Sequence, residues 1–266
     1  MAPKTIAFFG ASGGVGLAAL KHSLAAGHHC IALCRNPSRL TAVLPPETTP
    51  NLTVLQGNVR DAGAVARCLL TTGDSDGDSS RLVDQVVFTV GSRPTKMMQL
   101  EDPHVCEAGM AAVLEAVADL RKRDASSSGG TRAPHIVACS STGISRFGRD
   151  VPLPMVPLYH VGLRAPHADK RLMEDGLAAS GEAFTIVRPS LLFDGGGSGG
   201  GDPDGTDTDT LIRVGVEDPG LGVLESKAVG YRISREDVGK WIARNLVLDE
   251  GEGMAKYRNK NVTVTY

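Results

Sequence analysis

The sequence predicts a doubly wound α/β fold, a parallel sheet with helices on both of its faces. Short, wholly apolar runs alternate with stretches of helical spacing, the pattern of strands buried on both sides. A glycine cluster, GASGGVG at 10–16, separates the first apolar run from the first helix. That is where such folds make their tight ligand-binding turn.

The elements follow in order. Residues 4–9 (KTIAFF) read as a buried strand, and GVGLAALKHSLAAG as a helix that stops at Gly27. HCIALC (29–34) and NLTVLQ (51–56) are the next two strands. Residues 61–70 open with an N-cap candidate, Asp61, and have helical composition. LVDQVVFTV (82–90) is a fourth strand, 103–122 a long amphipathic helix, and HIVACS (135–140) a fifth strand. PHADKRLMEDGLAASG is a helix with Pro166 at a tolerated early position and Gly181 beyond its end, and AFTIVRP (183–189) is a sixth strand. YRISREDVGKWIARNLVL suggests a short strand and a helix capped at Ser234, and the tail KNVTVTY a last strand. Residues 1–266 are expected to form one domain with a small C-terminal extension on the substrate side. No internal repeat is visible.

Composition narrows the function. Apolar residues make up 41% and charged residues 22%, with a formal charge of −2. That balance attracts neither nucleic acid nor an acidic membrane. Five scattered cysteines without a CxxC pair argue for reduced thiols rather than disulfides or a metal site. The chain enters a strand almost at once, and no apolar run approaches the roughly 20 residues of a membrane span. The expectation is a cytoplasmic monomer or homodimer.

Three polar, glycine-rich stretches break the alternation: 72–80, 125–131 and 194–210. Each has too little apolar surface to order itself, so each reads as a flexible insertion. The third follows the sixth strand at the carboxyl edge, where a substrate lid is the alternative reading.

The glycine cluster carries the first chemistry. Gly10, Gly13 and Gly16 lie strand–turn–helix, the placement that gives a Rossmann dinucleotide motif its meaning. With Ser12, Gly14 and Val15 they bring backbone N–H groups and a helix dipole to a diphosphate. An NAD binder usually carries Asp or Glu at the end of the second strand. Here stands Arg35, followed by Ser38 and Arg39, and a guanidinium suits the 2′-phosphate of NADP(H). A solvated surface arginine is the bland alternative. Asn58, Val59 and Asp61 follow the third strand, where adenine would rest. Thr89, Val90 and Gly91 follow the fourth, nearer the nicotinamide.

The motifs GASGGVG, CRNPSRL, GNVRD, ACSS and HADKRLMEDGLAASGEAFTIVRPS together resemble the atypical short-chain dehydrogenase/reductases, over most of the chain. The likeness is to their NmrA-like and biliverdin-reductase-B-like branches. Within these, residues 8–40 look most similar to the fungal averufin oxidase A family. The resemblance implies NADP(H) chemistry on a small aromatic or phenolic substrate, with tailoring of anthraquinone- or xanthone-like polyketides. It also implies a Ser/Tyr-x-x-x-Lys apparatus. The lysine maps onto Lys170 and the serine onto Ser141, with Ser140 beside it. The tyrosine position holds Pro166, so the family's proton donor is missing. Tyr159, His160 and His167 are the candidate replacements, each with a bland reading as a packed or solvated side chain. An NADPH-dependent oxidoreductase is the leading expectation. A non-redox isomerase or cyclase and a non-catalytic NADP(H)-binding regulator are its rivals.

Overall fold

The apolar strands owe their continuous hydrophobicity to burial on both faces. In β1 (Thr5–Phe9), Ala7 and Phe9 enter one core while Ile6 and Phe8 enter the other. The alternation repeats in β2 (His29–Cys34), β4 (Gln85–Phe88), β5 (His135–Cys139) and β6 (Phe184–Pro189). Leu33, Phe88, Ile136 and Ile186 join Phe9, whereas Ala32, Val87, Val137 and Val187 join Phe8. The first core is closed by α3 (Ala62–Cys68), α4 (Val105–Asp124) and α5 (Arg164–Ala179), through Val65, Val113 and Leu177. The second is closed by α1 (Gly14–Ala25) and α6 (Arg235–Ile242), through Leu20, Val238 and Trp241. Each such side chain contributes about 1.5–3 kcal/mol by leaving water.

The computed structural model describes residues 2–71, 81–92, 101–124, 133–195, 211–248 and 252–266. The remaining elements are β3 (Leu52–Gln56), β7 (Leu191–Phe193), β8 (Arg213–Asp218), β9 (Val223–Ser226), β10 (Arg232–Ser234), β11 (Lys260–Thr265), α2 (Ser38–Thr41) and α7 (Glu252–Tyr257). Among the described residues nine strands form one sheet in the order β3-β2-β1-β4-β5-β6-β11-β8-β9, and β7 pairs with β10 separately. From β3 to β11 every pairing is parallel, while β8 and β9 are antiparallel additions at one edge. Strand order reverses between β1 and β4, which makes a switch-point crevice at their carboxyl ends.

The expected doubly wound sheet is therefore present, with local differences. The fourth strand is shorter than its apolar run, because Leu82 bridges back to Leu70 and Val83 N–H donates to the Leu69 carbonyl. The tail strand β11 lies between β6 and β8, a position its place in the chain does not give. The β8–β9 hairpin was not foreseen; Asp218 caps its turn by accepting from Leu221 N–H at 2.9 Å. The expected insertions at 72–80 and 125–131, and residues 196–210 of the third, lie outside the described residues. Among the described residues no helix is long and apolar enough to cross a membrane.

Candidate active site

The glycine turn is built for close approach. Gly10 has φ +92°, and a side chain there would begin 2.7 Å from the Thr89 carbonyl group. At Gly16 it would begin 2.2 Å from Thr89 Oγ1 and 2.7 Å from the Gly10 oxygen. Thr89 fixes this seam by donating both its N–H (2.8 Å) and its hydroxyl (3.1 Å) to the Phe9 carbonyl. Ala11 and Val15 are buried beneath the turn and Ser12 is half-buried. The first helical bond of α1 runs from Leu17 N–H to the Gly13 carbonyl at 3.3 Å. The amides of residues 14–16 therefore have no acceptor within the helix. Nothing lies within 4 Å of where a Gly13 side chain would begin. A cradle of free amides beneath open space fits a diphosphate.

At the end of β2, Arg35 and Arg39 are exposed and make no ion pair among the described residues. Ser38 is exposed beside them, its hydroxyl donating to Asn36 Oδ1 at 2.7 Å. Among the described residues neither guanidinium is taken up by a carboxylate. Asn58 forms a local turn, accepting from Arg60 N–H at 3.1 Å, and Val59 packs beside Gly109 of α4. The Asp61 carboxylate caps α3, accepting from Gly63 and Ala64 N–H groups. Val90 is half-buried and Gly91 exposed beyond β4.

Lys170 reaches the end of β5. Its Nζ donates to the Cys139 carbonyl at 3.1 Å and to the Ser140 carbonyl at 3.0 Å, leaving its third proton to be given elsewhere. Among the described residues Ser140 Oγ is buried without a hydrogen-bond partner, and Ser141 beside it is half-buried. The neighbouring Asp169, which sequence reasoning passed over, explains why α5 sits so firmly here. Its carboxylate caps α4, accepting from Cys106 and Glu107 N–H groups at 2.9 Å each. All five cysteines are buried and unbridged, and burial pushes Cys30, Cys68 and Cys106 up to about 12.

Tyr159 and His167 come together beside Thr142 and Gly143. Their ring centroids are 5.6 Å apart, and both side chains are buried. The Thr142 hydroxyl donates to Tyr159 Oη at 3.4 Å, and burial raises the phenol above its ordinary value. Asp150, 8% exposed, accepts from Gly143 N–H at 2.8 Å, yet burial still holds its carboxyl above the usual range. Of the loop that feeds α5, Leu153, Leu158 and Val161 stand exposed.

A buried charge cluster braces this end. Arg188 makes two bonds to Glu174 (3.0 and 2.6 Å) and one to Glu217 (2.5 Å), and Ser145 donates to the same Glu217. Burial alone would lower the Arg188 pKa; the two carboxylates override it and raise it. Near the turn, the Arg235 side chain lies against Gly14 and pairs with Asp194. No motif had marked Arg235. A cavity of about 650 Å³ opens at the opposite, amino-terminal edge, among Lys4, Arg81, Gln85 and Arg258. None of the candidate cofactor-binding or catalytic residues lines it, so its size does not make it the reaction site.

Fold and turn together define a dinucleotide-binding Rossmann protein. The NAD(P)H-binding family pattern matches residues 10–248, and the chain belongs to that family. Reductase pytE of Aspergillus terreus is 38% identical, with 98% of each chain covered. Oxidase pynE of Aspergillus niger is 31% identical, covering 100% of this chain and 99% of that one. Among solved structures, a short-chain dehydrogenase/reductase from Veillonella parvula in complex with NADP has a TM-score of 0.67 at 17% identity, covering 99% of this chain and 94% of the other. ChuY, an anaerobillin reductase from Escherichia coli, has a TM-score of 0.60 at 16% identity, covering 98% and 96%. At those identities the likeness shows the fold. The resemblance to atypical short-chain dehydrogenase/reductases is borne out, and the protein is an NAD(P)H-binding oxidoreductase.

Proposed function

We propose that the protein uses NADPH to reduce a carbonyl group on a flat aromatic substrate of the anthraquinone or xanthone kind. The observation that carries this is Lys170, tied to the Cys139 and Ser140 carbonyls beside Ser141, on the same sheet edge as the glycine turn. A non-catalytic binder needs no such arrangement.

The geometry supports the following roles. The amides of residues 14–16 hold the diphosphate, and Arg35 and Arg39 hold the 2′-phosphate, with Ser38 between them. Asn58 and Val59 border the adenine, and Thr89, Val90 and Gly91 the nicotinamide half. Bound NADPH supplies a hydride to the substrate carbonyl carbon. Lys170 would donate a hydrogen bond from its third N–H to the nicotinamide ribose, and Ser141 would donate one to the substrate oxygen as charge develops on it. Tyr159 provides the proton in place of the tyrosine lost at Pro166, with His167 packed against its ring. Its phenol oxygen accepts from Thr142, and the Leu191 backbone lies in hydrogen-bonding range, so its own proton remains to be donated. The exposed Leu153, Leu158 and Val161 offer apolar surface for a flat ring system. The names of the Aspergillus relatives, one a reductase and one an oxidase, support redox chemistry in this family.

The test uses NADPH deuterated on one face and a panel of hydroxyanthraquinones. Deuterium should arrive in the product, one atom per cofactor consumed. Product formed without label or cofactor consumption would replace the reading with isomerase chemistry.

A further inference from the structure

Arg235 opens α6 and leans over the glycine turn, where no motif calls for a cation. Its Cδ lies 3.2 Å from where a Gly14 side chain would begin. Gly14 itself has φ +57°, so this position serves both a left-handed backbone and the passage of the arginine. Beyond Gly14 the guanidinium turns to Asp194, with Nη1 2.9 Å from Oδ1. The Asp194 side chain is 89% exposed and that of Arg235 34%. An ion pair this open to water contributes little to stability and is readily exchanged. Next to it are the amides of residues 14–16, which have no helical acceptor.

We propose that Arg235 is a diphosphate-binding residue, held by Asp194 in the free protein and given over to the cofactor when it binds. The inference rests on the NAD(P)H reading of the glycine turn but not on the choice between NADPH and NADH. In the free protein the arginine's positive charge is partly spent on Asp194. A diphosphate beside the turn carries more negative charge than one carboxylate, and the helix amides already hold it in place. The exchange therefore favours the cofactor, while Asp194 acts as an internal competitor that weakens binding. Arg35 and Arg235 then divide the cofactor between them, one reading the 2′-phosphate and the other the bridge common to both dinucleotides.

The experiment titrates NADPH, NADH and adenosine 2′-monophosphate against the full chain and its variants Arg235→Gln, Arg235→Lys and Asp194→Asn, with unfolding temperature as a check. Arg235→Gln should weaken NADPH and NADH alike, by roughly tenfold to a hundredfold, the span of a lost charge-assisted bond. Adenosine 2′-monophosphate, which has no diphosphate, should bind as it does to the unaltered protein. Arg235→Lys should recover part of the loss, and Asp194→Asn should tighten both dinucleotides. The assignment is overturned if Arg235→Gln binds NADPH normally, if it loses adenosine 2′-monophosphate in parallel, or if Asp194→Asn weakens either dinucleotide. Equal wild-type affinity for NADPH and NADH would sink the 2′-phosphate reading and leave Arg235 standing.

Discussion

The Lys170 ammonium on α5 donates to the Ser140 carbonyl at 3.0 Å, across the end of β5. With the companion bond to Cys139, this makes Lys170 a structural tie in addition to its proposed role toward the cofactor. Lys170→Ala should therefore cost about 1.5–3 kcal/mol of stability, the range for a charge-assisted bond. NADPH affinity and kcat should fall together. Unchanged NADPH affinity by calorimetry would remove Lys170 from the cofactor site.

In the proposed site Arg35 is the residue that sets the cofactor preference. It is exposed and makes no ion pair among the described residues, so its charge is available to a 2′-phosphate. Arg35→Glu should weaken NADPH by roughly tenfold to a hundredfold while leaving NADH nearly unaffected. A parallel loss of both dinucleotides would show that Arg35 does not read the phosphate.

The Glu174–Arg188–Glu217 cluster should behave as a buried charge unit. Arg188→Met leaves two carboxylates 8% and 4% exposed without their partner. Breaking such a unit costs about 3–5 kcal/mol. At about 2–4 °C per kcal/mol for a chain of this size, Tm should fall by roughly 6–20 °C. Replacing all three residues by apolar ones of similar volume should restore most of the loss. Failure of that triple variant to recover would mean the cluster does more than satisfy its own charges.

Asp150 gives a pH dependence of definite sign. Burial raises its folded-state pKa above the ordinary carboxyl value of 3.8. The native state thus binds the proton more tightly than the unfolded chain. The stability this contributes is complete below 3.8 and is lost as pH rises through the folded value. Asp150→Asn keeps an acceptor for Gly143 N–H and removes the charge. Its unfolding temperature should exceed that of the unaltered protein at neutral pH, and the difference should vanish in acid. A lower Tm at pH 7 would show that the carboxylate itself is needed.

Much of this was legible in the residues, for physical reasons. Strands buried on both faces must be apolar throughout, so β1, β2, β5 and β6 announced themselves. The glycine turn was legible because only glycine survives the approach of Thr89 to residues 10 and 16. The β8–β9 hairpin was missed although DPGLG is a turn signal, because β9 is exposed throughout, β8 is buried only at its centre, and their pairing is bulged at Val216/Glu217. Arg235 and Asp169 were illegible for a different reason. Each acts on an element remote in sequence, α1 in one case and α4 in the other, and no local spacing encodes that. Pro166 was readable as a loss, but only packing shows that Tyr159 and His167 gather beside Thr142 and Gly143.

That gathering leads to the prediction about proton delivery. Tyr159 is 2% exposed, and burial raises its phenol above 10, so it stays protonated across the neutral range. As the donor it would hold activity steady from neutral pH to beyond 10, with loss only as pH rises through the raised value. A histidine donor would instead lose activity within the neutral range, where imidazolium gives up its proton. Tyr159→Phe should therefore lower kcat and abolish the alkaline limb, whereas His167→Ala should lower kcat through displaced packing and leave the shape of the profile alone. Ser141→Ala separates oxyanion stabilisation from proton delivery. It should cut kcat by roughly 10²–10³-fold, as loss of one oxyanion donor does, with NADPH affinity and profile shape retained. If His167→Ala reshapes the profile and Tyr159→Phe does not, the donor is His167, and Tyr159 is the packed aromatic that its burial alone would suggest.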